Sequence, residues 1–397
     1  MELSYLIDAS SLLLRWLHLI VGIAWIGSSF YFVWLDNSLK EPTDPKLKED
    51  GVGGELWAMH GGGFYNPQKY AVAPKQLPDD LHFFFWPSYT TWITGFLLIS
   101  MLYYFQAATY MIDPTISSVT PAQSVGIGLA TLALGWVVYD QLARLLIERS
   151  QLLFAVIYVA FVAAVTYALC HLIAGRAAYI HVGAMIATTM SANVFFWIIP
   201  AQRKQVAAMQ RGEAVNPLWG KRAKQRSYHN NYLTLPVLFA MISNHYASTY
   251  NHPQAWLVLL LIMLGSVLIR HFFNLRHKKI VRWEYPIAGL AIIFATLVWI
   301  APKPLPAPAS NAAPTPTLAE ITAIAQARCA GCHAEKPTIM PVAQMGVMLD
   351  TPERVKQFAQ RIHERSVQLK NMPLANMTQM TDEERARIGA WYAAGAK

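Results

Sequence analysis

The sequence has few charged residues and few cysteines, and both shortages narrow what the protein can be. Asp, Glu, Lys and Arg make up 14% of its 397 residues, whereas 54% are hydrophobic, which excludes an ordinary soluble domain. Cysteine occurs three times, twice within the pentapeptide CAGCH at residues 329–333, so no disulfide framework is predicted. Cys170 stands alone in an apolar run and is interpreted as a small buried hydrophobic residue.

Two further absences concern partners and targeting. The net charge is +9, but no stripe of basic residues carries interleaved aromatics, so nucleic-acid binding is not predicted. The first ten residues, MELSYLIDAS, contain no basic residue, and no A-x-A site follows the first apolar run. We therefore expect that run to be retained as a membrane span.

The apolar residues come in runs of roughly twenty, the length that crosses a lipid bilayer as a helix. Eight spans are predicted, and they lie at Leu12 to Leu35, Phe84 to Ala107, Ser124 to Leu142, Gln151 to Leu172, Ala178 to Ile199, Asn231 to Ser248, Ala255 to Phe273 and Tyr285 to Ile300. The predicted fold class is all-α, an eight-helix transmembrane bundle at residues 1–300. A linker rich in proline and alanine follows at 301–317, and a small α-helical domain occupies 318–397.

The basic residues predict how the spans are oriented. They concentrate in the loops after the first, third, fifth and seventh spans, whereas the alternate loops are nearly free of them. Cytoplasmic loops accumulate lysine and arginine, so both termini and the C-terminal domain are expected outside the cytoplasm. Membrane lipid is therefore an expected partner of the helical bundle at residues 1–300.

The tail carries the most specific motif, CAGCH. In C-x-x-C-H, Cys329 and Cys332 attach covalently to one haem, and His333 ligates its iron. The sequence therefore predicts a haem c and a small cytochrome c domain, whose last helix begins with a capping box at Thr381 and Glu384. The sixth ligand is expected to be a methionine. We favour Met372, which is followed by proline, with Met377 as the second choice. The other tail methionines are Met340, Met345, Met348 and Met380.

By predicted depth, the histidines fall into an outer band and an inner, cytoplasmic band. Ionisable residues within apolar spans are candidates for function. The outer band contains candidate ligands for a haem b in the membrane domain. These are His18, His171, His181 and His245, together with His252 near the same face. Arg15 and Arg176 lie at that face as well and are candidate partners for haem propionates, although insertion of their long side chains toward the interface explains them equally.

The cytoplasmic side contains two polar motifs. GELWAMHGGGFYNPQKY contains Glu55, His60, Tyr65 and Lys69 around three successive glycines, whose amides can approach an anion closely. QRSYHNNYLTLP contains His229, Asn230 and Asn231 where the sixth span begins. Both motifs suit a planar polar substrate, and ordinary turn glycines with an amide-rich helix start explain them as well.

Longer stretches carry a resemblance to a known family. WLHLIVGIAWIGSSFYFVW, HGGGFY, MSANVFFWIIPAQRK and SYHNNYLTLPVLFAMISNHY occur in this order ahead of the haem c motif. The chain resembles the bacterial membrane-bound urate oxidases, and the resemblance covers essentially its full length. At Pro87 and Ser88 it departs from the family, for which a Glu-Ala pair is expected, and Glu55 is then the remaining acid nearby.

The resemblance implies oxidation of urate to 5-hydroxyisourate in a bacterial inner membrane. Urate is expected at Tyr65, Lys69, Asn230 and Asn231. Three residues are the catalytic candidates, with His60 as the first choice of base: His60, Glu55 and His229. Electrons are expected to pass through haem b and haem c to a respiratory acceptor, either a cytochrome oxidase or a soluble cytochrome c. Whether urate binds near the cytoplasmic or the outer face is left open.

Two other classes of function fit parts of the sequence. A membrane cytochrome subunit that takes electrons from a quinol or a partner dehydrogenase would need histidine pairs and no substrate pocket. A transporter would need helices that are broken at mid-membrane depth.

Overall fold

The computed structural model describes residues 3–301, 315–340, 343 and 346–397. The predicted linker at 301–317 lies almost wholly outside these ranges, as does Met345. The described chain is mostly helical, and its first part contains twelve α-helices that are numbered here in chain order. They are α1 Leu3–Ser38, α2 Pro45–Glu49, α3 Trp86–Ile99, α4 Ala107–Tyr110, α5 Pro121–Leu146, α6 Gln151–Leu172, α7 Gly175–Asn193, α8 Ile199–Gln210, α9 Pro217–Ile242, α10 Ala247–Tyr250, α11 Ala255–His277 and α12 Glu284–Trp299.

Within the described residues, five helices are long and apolar enough to cross a membrane. They are Ala9–Ser38, Pro121–Leu146, Gln151–Leu172, Gly175–Gln210 and Ala255–His277. The fourth joins α7 to α8 through a π-helical turn at Val194–Ile198. The other three predicted spans overlap with α3, α9 and α12, which are not among these five. Of the three, α3 and α12 have 14 and 16 residues, and α9 begins with a strongly polar segment.

The chain is mostly helical, as the sequence predicts, and one loop adds a small amount of sheet. Four short strands follow α2: β1 Val52–Glu55, β2 Ala58–His60, β3 Gly63–Tyr65 and β4 Gln68–Tyr70. β1 pairs with β4 and β2 with β3, both antiparallel. The β2–β3 hairpin turns at Gly61 and Gly62, whose φ angles of 57° and 82° suit a two-residue turn that only glycine adopts easily. The three glycines thus shape a hairpin.

Helix α7 is the centre of the bundle. Residues on all of its faces are buried, including Tyr179, His181 and Met185, and it packs against α5, α6 and α9. Helix α1 lies at the edge against α3, and many of its apolar side chains, such as Trp16 and Ile23, are exposed. An exposed apolar helix face is what a lipid environment requires.

The bundle has two ends, which we name by their loops. The basic end holds the last residues of α1, α5 and α11 and the first of α9. The opposite end holds the first residues of α5, α7 and α11. The charge distribution predicts that the basic end is cytoplasmic.

The tail has its own core. Its helices are α13 Leu318–Arg328, α14 Pro352–Gln357, α15 Ala359–Ile362 and α16 Asp382–Ala393, with a π-helical turn at His363–Gln368. Ile321, Val355, Ile388 and Trp391 are buried together. The capping box of Thr381 and Glu384 is confirmed.

The tail touches the opposite end of the bundle. Asn251 Nδ2 donates a hydrogen bond to the carbonyl oxygen of Lys370 at 3.3 Å. The short helical turn Leu374–Asn376 packs against α4. The loop between the π-helical turn and α16 is therefore the part of the tail that faces the helical bundle.

Candidate functional site

A cavity of about 620 Å³ opens at the basic end between α1, α8, α9 and residues 81–84. Apolar and aromatic side chains form much of its wall. Its polar lining consists of Ser28, Ser29, Asp36, Gln68, Lys69, His82, Gln202, Gln205, Lys224, Ser227, Tyr228 and Asn230. A largely apolar pocket with a few convergent polar groups is typical of a small-molecule site.

Two lysines share one carboxylate in this cavity. Lys224 Nζ lies 2.5 Å from Asp36 Oδ2, and Lys69 donates to Asp36 Oδ1. About half of each lysine side chain is exposed, whereas Asp36 is mostly covered. Two cations against one anion leave a net positive charge, which favours an anionic ligand.

Asn230 connects the cavity to a buried network. Its Oδ1 accepts from Asn193 Nδ2 at 2.9 Å, and its Nδ2 donates to the Met190 carbonyl at 2.9 Å. Asn193 Nδ2 also donates to Tyr139 Oη at 3.0 Å, and that hydroxyl lies 2.8 Å from His229 Nδ1. Since Tyr139 Oη accepts from Asn193, its proton is free to be donated to His229. His229 is thus held behind the cavity wall.

A buried ion pair borders this network. Asp140 Oδ1 accepts from Arg226 Nη2 at 3.0 Å and from Trp197 Nε1 at 2.7 Å, and Asp140 Oδ2 accepts from Arg144 Nε at 2.7 Å. The Arg226 guanidinium also lies over the Trp197 ring at 4.6 Å. Both carboxylate oxygens of Asp140 are therefore hydrogen-bonded, whereas Arg226 Nη1 has no partner among the described residues.

Asn231 faces a different set of partners from Asn230. Its Oδ1 accepts from Arg270 Nε at 2.8 Å and from Asn274 Nδ2 at 3.0 Å. The Arg270 guanidinium lies 3.9 Å from the centre of the Phe30 ring. Adjacent residues on a helix point about 100° apart, so the two asparagines contact different helices.

Three predicted site residues lie on the strands and outside the cavity lining. Glu55 accepts from Asn66 Nδ2 at 3.0 Å, and its backbone pairs with Lys40. His60 sits at the end of the β2–β3 hairpin and is exposed, as is Tyr65. Of the residues predicted in this loop, only Lys69 reaches the cavity.

His18 lies on the α1 face that lines the cavity. Trp25 and Ser29 line it, and His18 is seven residues before Trp25, about two helical turns away on that face. Thr94 donates its hydroxyl proton to the Thr90 carbonyl at 2.6 Å, so it accepts from His18 Nδ1 at 2.9 Å. Nε2 therefore carries the lone pair that a metal ligand needs.

His181 has the same tautomer in a closed environment. Its Nδ1 donates to the Ala177 carbonyl at 2.8 Å, and Nε2 has no hydrogen-bond partner among the described residues. A Cβ at Gly128 would lie 2.5 Å from Nε2, so only glycine leaves this atom room. Nε2 is thus a buried nitrogen with an unused lone pair, closely packed against α5.

The remaining outer-band residues are less enclosed. His171 and His245 are exposed, as is Arg15, which precedes His18 by three residues. Arg176 is half-buried, and its guanidinium lies over the Tyr110 ring at 5.5 Å. Grouping the band by depth placed exposed and buried histidines together. In the part of the chain that the structure describes, no three His, Cys, Asp or Glu side chains form a metal-ion site.

The tail presents the haem c motif in a usable form. Both of its cysteines are free, and burial raises the pKa of the Cys329 thiol to about 12. His333 Nδ1 donates to the Val347 carbonyl at 3.1 Å, so Nε2 is available for iron. The residues present therefore fit a covalently attached haem.

The methionines of the tail differ in burial. Met380 is 3% exposed within the core that contains Trp391. Met372 and Met377 are half-buried, and the Met372 carbonyl accepts from Arg385 Nη1 at 2.8 Å. Arg385 thus holds the backbone of the loop that carries the favoured ligand.

The comparison with protein families identifies the first part of the chain. Residues 4–301 match the family described as urate oxidase, N-terminal. The chain belongs to the urate oxidase N-terminal family. This membership confirms the urate oxidase part of the resemblance and associates the chain with urate and with oxidoreductase chemistry. The match ends at residue 301, before the tail. No curated protein and no solved structure was found to match the chain.

Several polar residues of this family member were not among the predicted site residues. They are Asp36, His82, Tyr139, Asp140, Asn193, Lys224, Arg270 and Asn274. An acidic or amide side chain within an apolar run was the signal available for Asp140, Asn193 and Asn274. The pairing of Asp36 with two lysines has no signal in the sequence, because the three residues lie far apart in the chain.

Proposed function

We propose that the chain oxidises urate to 5-hydroxyisourate at the basic end of its bundle and delivers the electrons to haem in its tail. The reaction joins urate and water and releases two electrons and two protons. The observation that carries the proposal is the family match over residues 4–301. A net cationic cavity in those same residues supports it, because urate is a monoanion at neutral pH.

The cavity supplies binding and proton acceptance. Lys69 and Lys224 attract the anion, and Asn230 offers an amide fixed from behind by Asn193. His82 is exposed and lines the cavity, so we assign it the proton-accepting role first considered for His60. His229 acts as a positioning residue through Tyr139 and Asn193. Glu55 and Tyr65 have no role in this arrangement.

We assign electron exit to candidate haem ligands in the bundle and in the tail. His18 would hold a haem b near the cavity, because its Nε2 is free and the space beside Gly22 is open to 4 Å. His181 is a second candidate ligand closer to the tail, and Arg176 a candidate propionate partner. Cys329, Cys332 and His333 would hold haem c, with Met372 as sixth ligand. Haem supplies the ability to take electrons one at a time.

The proposal includes a location. It puts the cavity on the cytoplasmic side and the tail on the outer side of a bacterial inner membrane, which the eight predicted spans and the basic loops between them support. A cytochrome oxidase or a soluble cytochrome c then takes the electrons from the tail. The alternative of a cytochrome subunit without a substrate of its own is less favoured, because such a subunit needs no cationic cavity.

Anaerobic reduction tests the proposal. Urate is added to the purified, oxidised full-length protein without oxygen, and the haem absorbance is recorded. The c-type bands of the protein should become those of the reduced form. If the haem c remains oxidised, the proposal is wrong, and an electron-transfer subunit without a substrate of its own is favoured. A pyridine haemochrome assay determines whether haem b accompanies haem c, and His18→Ala should remove only the b signal.

A further inference from the structure

Two arginines are buried in the half of the bundle near the basic end, and only one has a counter-ion. Arg226 is 4% exposed and Arg270 is 5% exposed. Arg226 pairs with Asp140. Arg270 makes no ion pair with any carboxylate in the described part of the chain, and its Nη2 has no hydrogen-bond partner there. An uncompensated buried cation costs several kcal/mol in general, so the arrangement is incomplete as it stands.

The unpaired polar atoms around Arg270 include both donors and an acceptor. Arg270 Nη2 and Asn231 Nδ2 are donors without acceptors, and Asn274 Oδ1 is an acceptor without a donor. Asn231 is 0% and Asn274 is 3% exposed. Because Asn231 Oδ1 accepts from both Arg270 and Asn274, its amide orientation is fixed and Nδ2 must point elsewhere. Folded proteins leave few buried polar groups unpaired.

This group of residues lies next to the cavity. Asn231 follows Ser227, a cavity-lining residue, by four positions, which places it one helical turn deeper on the same face of α9. Phe30, which packs on the Arg270 guanidinium, directly follows the cavity-lining Ser29. None of this group is part of the cavity lining, so the unpaired atoms lie one layer below its wall, and a ligand that enters between Lys69 and Lys224 reaches them only when side chains there shift.

We propose that Arg270, Asn231 and Asn274 bind the anionic edge of a planar heterocyclic substrate. The edge that fits alternates carbonyl oxygens with an N–H group and carries one negative charge. The charge neutralises Arg270, the two donors meet the oxygens, and Asn274 Oδ1 accepts from the ring N–H. This inference rests on the proposed function, in which the substrate is urate, and names the residues that recognise it.

The test measures urate binding without turnover. The full-length protein is reduced with dithionite under anaerobic conditions, so it cannot accept electrons from urate, and the Kd for urate is measured by calorimetry. Arg270→Gln should raise Kd by about tenfold to a hundredfold, the range expected for a charge-assisted hydrogen bond. Arg276→Gln is the matched control, because Arg276 lies exposed on the same helix, and it should leave Kd unchanged.

A second variant supplies the missing counter-ion from within the chain. Asn274→Asp places a carboxylate beside the guanidinium and should weaken urate binding while raising the melting temperature. Arg270→Gln should not lower the melting temperature, since it removes an unpaired charge. An unchanged Kd in both variants overturns the assignment.

The outcomes separate this inference from the proposed function. If urate reduces the tail haem of the wild-type protein and Arg270→Gln keeps its Kd and KM, the binding residues are wrong and the urate oxidation stands. If urate neither binds to nor reduces the wild-type protein, both are wrong.

Discussion

Asp140 Oδ1 lies 3.0 Å from Arg226 Nη2, and both side chains are less than a tenth exposed. The Arg226 guanidinium also packs over Tyr139 at 5.1 Å, so the pair supports the same tyrosine that contacts His229. Removing one partner from a buried pair leaves a charge without compensation, whereas removing both is much less costly.

We predict that Asp140→Asn destabilises the helical bundle by about 3 kcal/mol or more. Thermal unfolding in detergent measures the loss. The double variant Asp140→Asn, Arg226→Met should recover part of it, because the unpaired guanidinium is gone. Equal stability of the single variant and the wild type would contradict the burial of this pair.

The second prediction concerns the two cavity lysines. When Lys69 and Lys224 are both replaced by glutamine, Asp36 remains as the local charged group. The net charge of the cavity then changes from positive to negative. kcat/KM for urate should fall by about tenfold at low salt, and the difference should shrink as salt screens the charges. Lys46→Gln, on the exposed helix α2, is the control. A loss that does not depend on salt would argue against an electrostatic role.

The third prediction distinguishes the methionines of the tail. Met372→Leu should abolish the long-wavelength absorption band that reports methionine bound to oxidised haem iron, and it should lower the reduction potential. Met377→Leu should leave the band in place. Met380→Ala is expected to lower stability by about 2 to 5 kcal/mol, because Met380 is buried in the core. Loss of the band in Met377→Leu alone would identify Met377 as the ligand.

The fourth prediction concerns acid stability of the tail. The Glu335 backbone N–H donates to Asp350 at 2.9 Å, and this bond together with Arg354 holds the pKa of the Asp350 carboxyl below its usual value. Stability from this group is present above about pH 4, the pKa of an unperturbed aspartate, and is lost as pH falls through the lower folded value. Asp350→Asn should flatten this dependence, measured as haem absorbance against pH. An equally steep profile in the variant would assign it to other groups.

Sequence reasoning succeeded where the signal is local. The capping box at Thr381 and Glu384 depends on residues three apart, and the helices follow from runs of apolar residues. The glycines of HGGGFY were harder, because the same residues suit an anion site and the hairpin turn that they form.

Sequence reasoning was limited where partners are distant in the chain. Asn230 and Asn231 were predicted to act together, and the structure gives them different partners because neighbouring helical residues diverge. His181 and His171 fall at similar depth, and only the rotation of their helices buries one and exposes the other. The unpaired state of Arg270 becomes visible only when every carboxylate around it has been placed.

The contact between Asn251 and the Lys370 carbonyl has a kinetic consequence. The contact keeps the loop of Met372 beside the bundle. In the proposed electron path, transfer between the two parts is therefore unimolecular, and its rate is independent of protein concentration. A free cytochrome added to the solution would compete with the proposed cytochrome c domain, whose tethering gives it a far higher local concentration. Measuring the rate at several protein concentrations therefore distinguishes proposed electron transfer to the tail from transfer to an external carrier.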